Sequence, residues 1–244
     1  MCIRDSYTRD RTAAHPQRQL ARYAGILQAD AYPGYDALYA PGRKPGPILE
    51  AACWAHARRP FYKEARLSGA PLALDVVMRM DAIFAIERAI WGQSASERLA
   101  SRQIHVAPLV AELAHYLREQ YGRLSRKGDL AKAINYMLSR WDSFARFVHD
   151  GRTCMTNNAA ERRVRTVAIG RRNWTFCGSD RGGDRAAAMY TLIQTCRLNH
   201  VDPHAWLRDV IARISDHPQT RPHELLPWEW HARQVGPQAL AQAA

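Results

Sequence analysis

The chain has 244 residues, 47% of them hydrophobic and seven of them Trp, enough for one large domain, or one domain with an insertion, around a substantial core. Its 35 Lys and Arg against 23 Asp and Glu give a net charge of +12, which points to a polyanionic partner, although a compositional preference for Arg over Lys competes as an explanation. Five scattered cysteines without a CxxC pair argue against a disulfide framework or zinc ribbon, and no apolar run reaches the roughly 18 residues of a membrane span.

No signal peptide is visible, so a reducing cytoplasm is the expected compartment. The opening MCIRDS resembles translated adapter sequence, and YTRDRTAAHP after it reads as the interior of a protein. An artefactual start on a truncated gene is therefore expected. In AAHPQRQLARYAG, Leu20 and Tyr23 predict a short helix that Gly25 can end. GILQADAY is a brief apolar run that reads as a buried strand presenting Asp30 at its carboxyl end. A helical turn and a loop rich in Pro and Gly follow over 33–46. PILEAACWAHARRPF supplies a second strand, with Cys53, His56, Arg58 and Arg59 at or beyond its end.

From about 61 to 149 the apolar residues recur at helical spacing, as in Leu74, Val77, Met78 and Ile83, then Leu109, Leu113 and Leu117, then Ile134, Met137 and Trp141. That pattern predicts a block of roughly four helices inserted after the second strand. A helix carrying Glu161 comes next, with Asn158 as its cap and Glu161 reaching back as in a capping box. GRRNWTFCGSDRGG (170–183) reads as a basic, aromatic loop with some strand character. Helices are expected over 186–201 and 202–215, the second capped by Asp202 with Pro203 in its first turn. The tail, 217–244, reads as irregular, and no internal repeat is present.

Two carboxylates stand out. Asp30 is either a turn former or a metal ligand aimed by a strand end. Glu161 is a cap, a ligand, or both. Together they suit Mg2+ (or Mn2+), which one or two protein carboxylates hold with phosphate and water. Paired ions of this kind serve phosphodiester chemistry. A basic rim is then needed to hold DNA: Arg162, Arg163, Arg165, Arg171 and Arg172 on one side, Arg58 and Arg59 on the other. Cys53 with His56 could form half a zinc site, but no second pair appears, so packing at the strand end is the competing and simpler reading. Trp174, set among arginines, is either core or a stacking platform for a base.

The ordered set YTRDRTAAHP, GILQADAYPGYDALY, AACWAHARRPF, TNNAAERRVR, GRRNWTFCGSDRGG and LLPWEW resembles the insertion-sequence-66 family of bacterial transposases, from about residue 7 to 231. The resemblance implies a DDE transposase with a ribonuclease-H-like core that cuts and joins DNA with two metal ions. It matches Asp30 to the second catalytic Asp and Glu161 to the catalytic Glu. Cys53 and His56 match a Cys-x-x-His element, and Asn157 and Asn158 lead into the Glu motif.

The implied fold is α/β: a partial ribonuclease-H-like core with its first strands missing, a large all-helical insertion and C-terminal helices. The expected divisions are 7–60, 61–150, 151–216 and 217–244. Neither Asp5 nor Asp10 stands where the first catalytic Asp belongs, so this chain by itself is expected to have little or no activity. Implied partners are the DNA of element ends and target, and further copies of the protein assembled on DNA in the nucleoid of a bacterial cytoplasm. The competing readings are a non-catalytic DNA-binding remnant and a related nuclease that cleaves without joining.

Overall fold

Gly25–Ala29 (β1) and Ile48–Ala52 (β2) pair in parallel, from Gly25 opposite Ile48 to Ala29 opposite Ala52. This computed structural model describes residues 4–173 and 176–240, with side chains through 234. The link between the strands holds a 3-10 helix, Pro33–Tyr39, since parallel neighbours need a crossover rather than a tight turn. A short helix, Ala14–Gln19 (α1), precedes β1. Two short strands have little stability of their own, so the pair depends on what packs against it.

That support is helical. β2 passes through Cys53 directly into Trp54–Ser68 (α2), which ends at Gly69 in the left-handed conformation (φ 63°) that a side chain would disfavour. Pro71–Ala89 (α3) follows, then Ala95–Ser101 (α4), opened by a capping box between Ser94 and Glu97. A π-helical turn, Arg102–Val106, joins α4 to Ala107–Arg123 (α5); Asp129–Leu138 (α6) and Trp141–His149 (α7) complete the block. With α4, the π turn and α5 running on as one rod, the region after α2 holds four helical segments, in line with the spacing of its apolar residues.

The core of this unit, Thr12–Glu161, gathers Trp54, Phe61, Val76, Met80, Ile83, Leu113, Leu117, Ile134, Met137, Phe144 and Phe147. Trp54 is fully buried, meets Trp141, Phe144 and Phe147 edge to face at 5.7–6.3 Å, and donates its indole N–H to the Phe144 carbonyl at 2.9 Å. A buried indole needs such an acceptor, because an unpaired donor in this setting costs about 1–3 kcal/mol.

A second unit comprises Met1–Arg11 with Arg162–Ala244. Asn158–Gly170 (α8) begins in the first unit and continues into the second. Asp180–Leu198 (α9) starts earlier than the expected 186: Ser179 caps it by accepting from the Gly182 N–H at 3.1 Å. The Gly-Gly pair is helical, and a Cβ on Gly183 would lie 2.5 Å from the Tyr7 ring, so close packing rather than a loop explains that glycine. Pro203–Arg213 (α10) has the expected cap, Asp202 accepting from His204 at 3.0 Å and Ala205 at 3.4 Å.

The expected irregular tail is corrected. Pro222–Leu225 is a 3-10 turn and Pro227–Leu240 (α11) a helix, with Pro227 at a first-turn position where its missing N–H costs nothing. Trp206 donates to the Leu225 carbonyl at 2.9 Å and Trp230 to Asp209 Oδ2 at 2.7 Å, so two indoles tie this end to α10. The architecture is mostly helical with a small parallel sheet, compatible with an α/β fold bearing a helical insertion. No helix among the described residues is long and apolar enough to cross a membrane.

Candidate functional site at the carboxyl edge of the strand pair

The register of the strands sets the site. Ala29 and Ala52 are the last paired residues, so Asp30 and Cys53 leave the sheet side by side at its carboxyl edge. Asp30 is exposed, and its carbonyl accepts the Tyr136 hydroxyl at 3.2 Å. Burial first, and then the negative field of Asp30, raise the Tyr136 phenol above its ordinary range. Ala31, immediately after, adopts a left-handed conformation (φ 58°) while buried, a strained state for a residue with a Cβ. Strain of that kind persists only where the surroundings over-determine it, and here it sets the exit of the chain from Asp30.

Cys53 is fully buried and opens α2 without any side-chain cap. One turn later His56 points Nε2 at Glu161 Oε1, 3.1 Å away. The imidazole Nδ1 is buried and has no partner among the described residues. The strand ends thus set Asp30 beside Cys53, and the first turn of α2 sets His56 against Glu161.

The capping-box expectation for Glu161 is corrected. α8 starts at Asn158, and the Asn157 carbonyl accepts the Glu161 N–H at 3.2 Å. Asn157 is therefore the cap position and Glu161 the fourth helical residue, one beyond the position that reaches back in a capping box. The Asn157 side-chain oxygen is buried without a hydrogen-bond partner. The Glu161 side chain is 42% exposed, with only Oε1 against His56.

What delivers Glu161 is a clamp that the sequence did not reveal. Arg102, in the π turn, has no exposed surface; its Nε and Nη2 hold Glu87 at 2.7 Å each. Its Nη1 donates to the carbonyls of Phe147 (2.9 Å), Asp150 (3.1 Å) and Thr153 (2.9 Å), and Arg98 also reaches Thr153 at 3.1 Å. The segment then docks on the sheet: Gln28 of β1 donates to the Cys154 carbonyl, and the Trp54 N–H to Met155 at 3.2 Å. Gly151 fits only as glycine, since a Cβ there would come within 1.7 Å of the Ala95 carbonyl oxygen. Nothing distinguishes Arg102 in the polar run ASERLASRQIHV except its charge.

The arginines fall into different roles. Arg58 makes a two-pronged pair with Asp81 of α3 (2.7 and 2.8 Å) and lies over the Tyr62 ring, so its donors serve the helical block. Arg59 is exposed. Arg162, Arg165, Arg171 and Arg172 are exposed within the second unit, whereas Arg163 is half-buried and donates to Gln194 of α9 at 3.2 Å. Trp174 lies outside the described residues.

No group of three or more His, Cys, Asp or Glu among the described residues is arranged to hold a metal ion. Cys53 is packed in the core and His56 lies against Glu161, so neither is an open donor. One or two carboxylates, completed by water and phosphate, suit Mg2+ or Mn2+ and not a closed all-protein cage.

A two-stranded parallel sheet followed by an all-helical block is compatible with a mixed α/β protein that carries a helical insertion. The chain belongs to the IS66 family of transposases: the transposase IS66 family model matches residues 4–185, and the IS66 C-terminal element matches residues 191–228. It is 52% identical over 233 residues to the uncharacterized protein y4hP of Sinorhizobium fredii, covering 91% of this chain and 42% of that one. It is 38% identical over 234 residues to y4jD of the same organism, covering 94% and 46%. A shorter match, 48% over 42 residues, joins it to YuaK of Escherichia coli, covering 17% of this chain and 45% of that protein. The chain thus spans less than half the length of these relatives. No solved structure matches it significantly.

Proposed function

We propose that this chain supplies the second acidic residue and the glutamate of a DDE transposase site, Asp30 and Glu161, within a protein that cleaves and joins DNA during movement of a bacterial insertion sequence. What supports this reading is membership of the IS66 family, together with the exit of Asp30 from the strand pair beside Cys53 and the contact of His56 with Glu161. The sheet is read as part of a ribonuclease-H-like core, interrupted by the helical block.

Magnesium or manganese, when bound, would lower the pKa of an attacking water or hydroxyl and offset charge on the leaving oxygen. Asp30 and Glu161 would hold it. His56 Nε2, 3.1 Å from one Glu161 oxygen, would direct the carboxylate, while the Arg102 clamp would fix the backbone that leads to Glu161. The exposed arginines Arg162, Arg165, Arg171 and Arg172 would take DNA phosphates, with Trp174 beside them in sequence. Asp5 and Asp10 do not take the part of the first acid, so strand transfer by these 244 residues alone is expected to be negligible. The working assembly would be an oligomer on element ends and target DNA in the nucleoid.

The test is strand transfer by a full-length IS66 transposase carrying this segment. Glu161→Gln and Asp30→Asn should each abolish transfer of 3′-hydroxyl ends while leaving DNA binding intact. Transfer retained by either variant would overturn the assignment, and cleavage without joining would favour a nuclease.

A further inference from the structure

Helix α2 carries a face that continues away from His56 and that the core does not use. At 3.6 residues per turn, His56, Arg59, Lys63 and Arg66 fall within an arc of about 80°. His56 sits at the Glu161 end, and the three cations follow it along the axis over roughly 15 Å in all. Arg59, Lys63 and Arg66 are exposed, and none is ion-paired or hydrogen-bonded to a protein group among the described residues. That contrasts with Arg58 on the adjacent face, which is committed to Asp81, and with Arg79 and Arg140, each held by two carboxylates.

Resting on the DNA-substrate reading above, we propose that this face of α2 is a rail for the phosphodiester backbone, which guides one DNA strand out of the Asp30–Glu161 edge across the helical insertion. Charge and spacing carry the choice of partner. Arg59 to Arg66 spans about 10 Å of helix axis, close to three phosphates at roughly 3.4 Å per nucleotide along one strand. Arg66 also lies over the Tyr62 ring, 5.9 Å from its centroid, which steadies a long side chain that would otherwise lose more entropy on binding. Lys63 lies near Asp129 of α6, whose carboxylate Lys132 already holds at 2.9 Å. The rail is a set of free cations beginning where a scissile phosphate would lie.

The experiment is a salt titration of binding by the 244-residue chain to a short fluorescent DNA duplex, without divalent metal, so that it does not depend on catalysis. Three phosphate contacts contribute a slope of roughly −2.7 in log affinity against log salt, or about a 40-fold loss between roughly 50 and 200 mM. The triple variant Arg59→Ala, Lys63→Ala, Arg66→Ala should lose that part of the salt dependence. Arg59→Lys with Arg66→Lys should keep it, because the charges remain. A control that removes equal charge elsewhere, Arg88→Ala, Arg118→Ala, Arg123→Ala, should retain the parent slope, with circular dichroism confirming that every variant is helical. An unchanged slope in the rail variant, or an equal loss in the control, overturns the proposal. Loss of binding to RNA of the same sequence with DNA binding unchanged would overturn the choice of DNA. Asp30→Asn should leave this metal-free slope intact, so failure of the carboxylate assignment and failure of the rail are read separately.

Discussion

His56 Nε2 lies 3.1 Å from Glu161 Oε1, joining the first turn of α2 to the first turns of α8. A group that orients a metal-binding carboxylate typically contributes 10–100-fold to metal affinity or activity. His56→Ala in a full-length transposase should therefore reduce Mn2+-supported strand transfer by about that factor. His56→Gln, which retains a donor, should recover part of it. A His56→Ala enzyme with parental activity would assign the contact to packing alone.

Arg102 and Glu87 form a buried pair whose loss strands the Glu87 carboxylate. Arg102→Met leaves Glu87 without its partner and removes the guanidinium donor from the Phe147, Asp150 and Thr153 carbonyls, of which Thr153 keeps Arg98 and Asp150 keeps the Thr153 N–H. Breaking such a pair costs about 3–5 kcal/mol, which should appear as a lower urea midpoint for the chain. A change below about 1 kcal/mol would mean that water replaces the guanidinium there, and the clamp would not be rigid.

Gly151 and Gly69 separate two causes of intolerance to a side chain. At Gly151 the obstacle is the Ala95 backbone, 1.7 Å from the ideal Cβ; at Gly69 nothing lies within 4 Å and only the left-handed backbone objects. Gly69→Ala should cost roughly 1–2 kcal/mol. Gly151→Ala should cost about 3 kcal/mol or more, because backbone must move. Equal effects in chemical denaturation would contradict the close approach.

Asp150 gives the stability of the chain an acid limb. Hydrogen bonds from the Arg152 side chain and backbone N–H hold its carboxyl at about 2, against 3.8 ordinarily. A depressed folded-state pKa adds stability above the ordinary value, and that stability is lost as pH falls through the folded one. The window is therefore about pH 4 down to about 2, with an effect on the order of 1 kcal/mol once the exposure of Arg152 is allowed for. Asp150→Asn should flatten the stability profile across that window. An unaltered profile would show that the pair does not persist in solution.

Legibility in the sequence followed the range of the forces involved. β1, β2 and α10 were readable because their signals are local: short apolar runs, and an Asp-Pro start. The start of α8 was misjudged by one residue since Asn157 and Asn158 are equally good caps, and only the backbone decides which one stands outside the helix. α9 and α11 were partly hidden by Gly182, Gly183 and Pro227, residues that weaken helix patterns until a cap or a packed ring compensates. Asp30 and Glu161 were legible as residues. The contact of Glu161 with His56, the clamp by Arg102 and the pairing of Arg58 with Asp81 were not, because each depends on partners tens of residues away.

The π turn at Arg102–Val106 makes the length of that rod a counted quantity. It accommodates one residue more than a regular helix would over the same rise. Deleting a residue there would restore ordinary winding and swing the two halves by about 100° relative to each other, carrying Arg98 and Arg102 away from the carbonyls they hold. Substitution and indel tolerance should therefore diverge in this stretch: Gln103, Ile104 and His105 can change identity, while a single-codon deletion would misplace Glu161 from some fifty positions upstream. Wherever members of the family are aligned, a gap inside this rod marks a protein that must hold its glutamate by some other means.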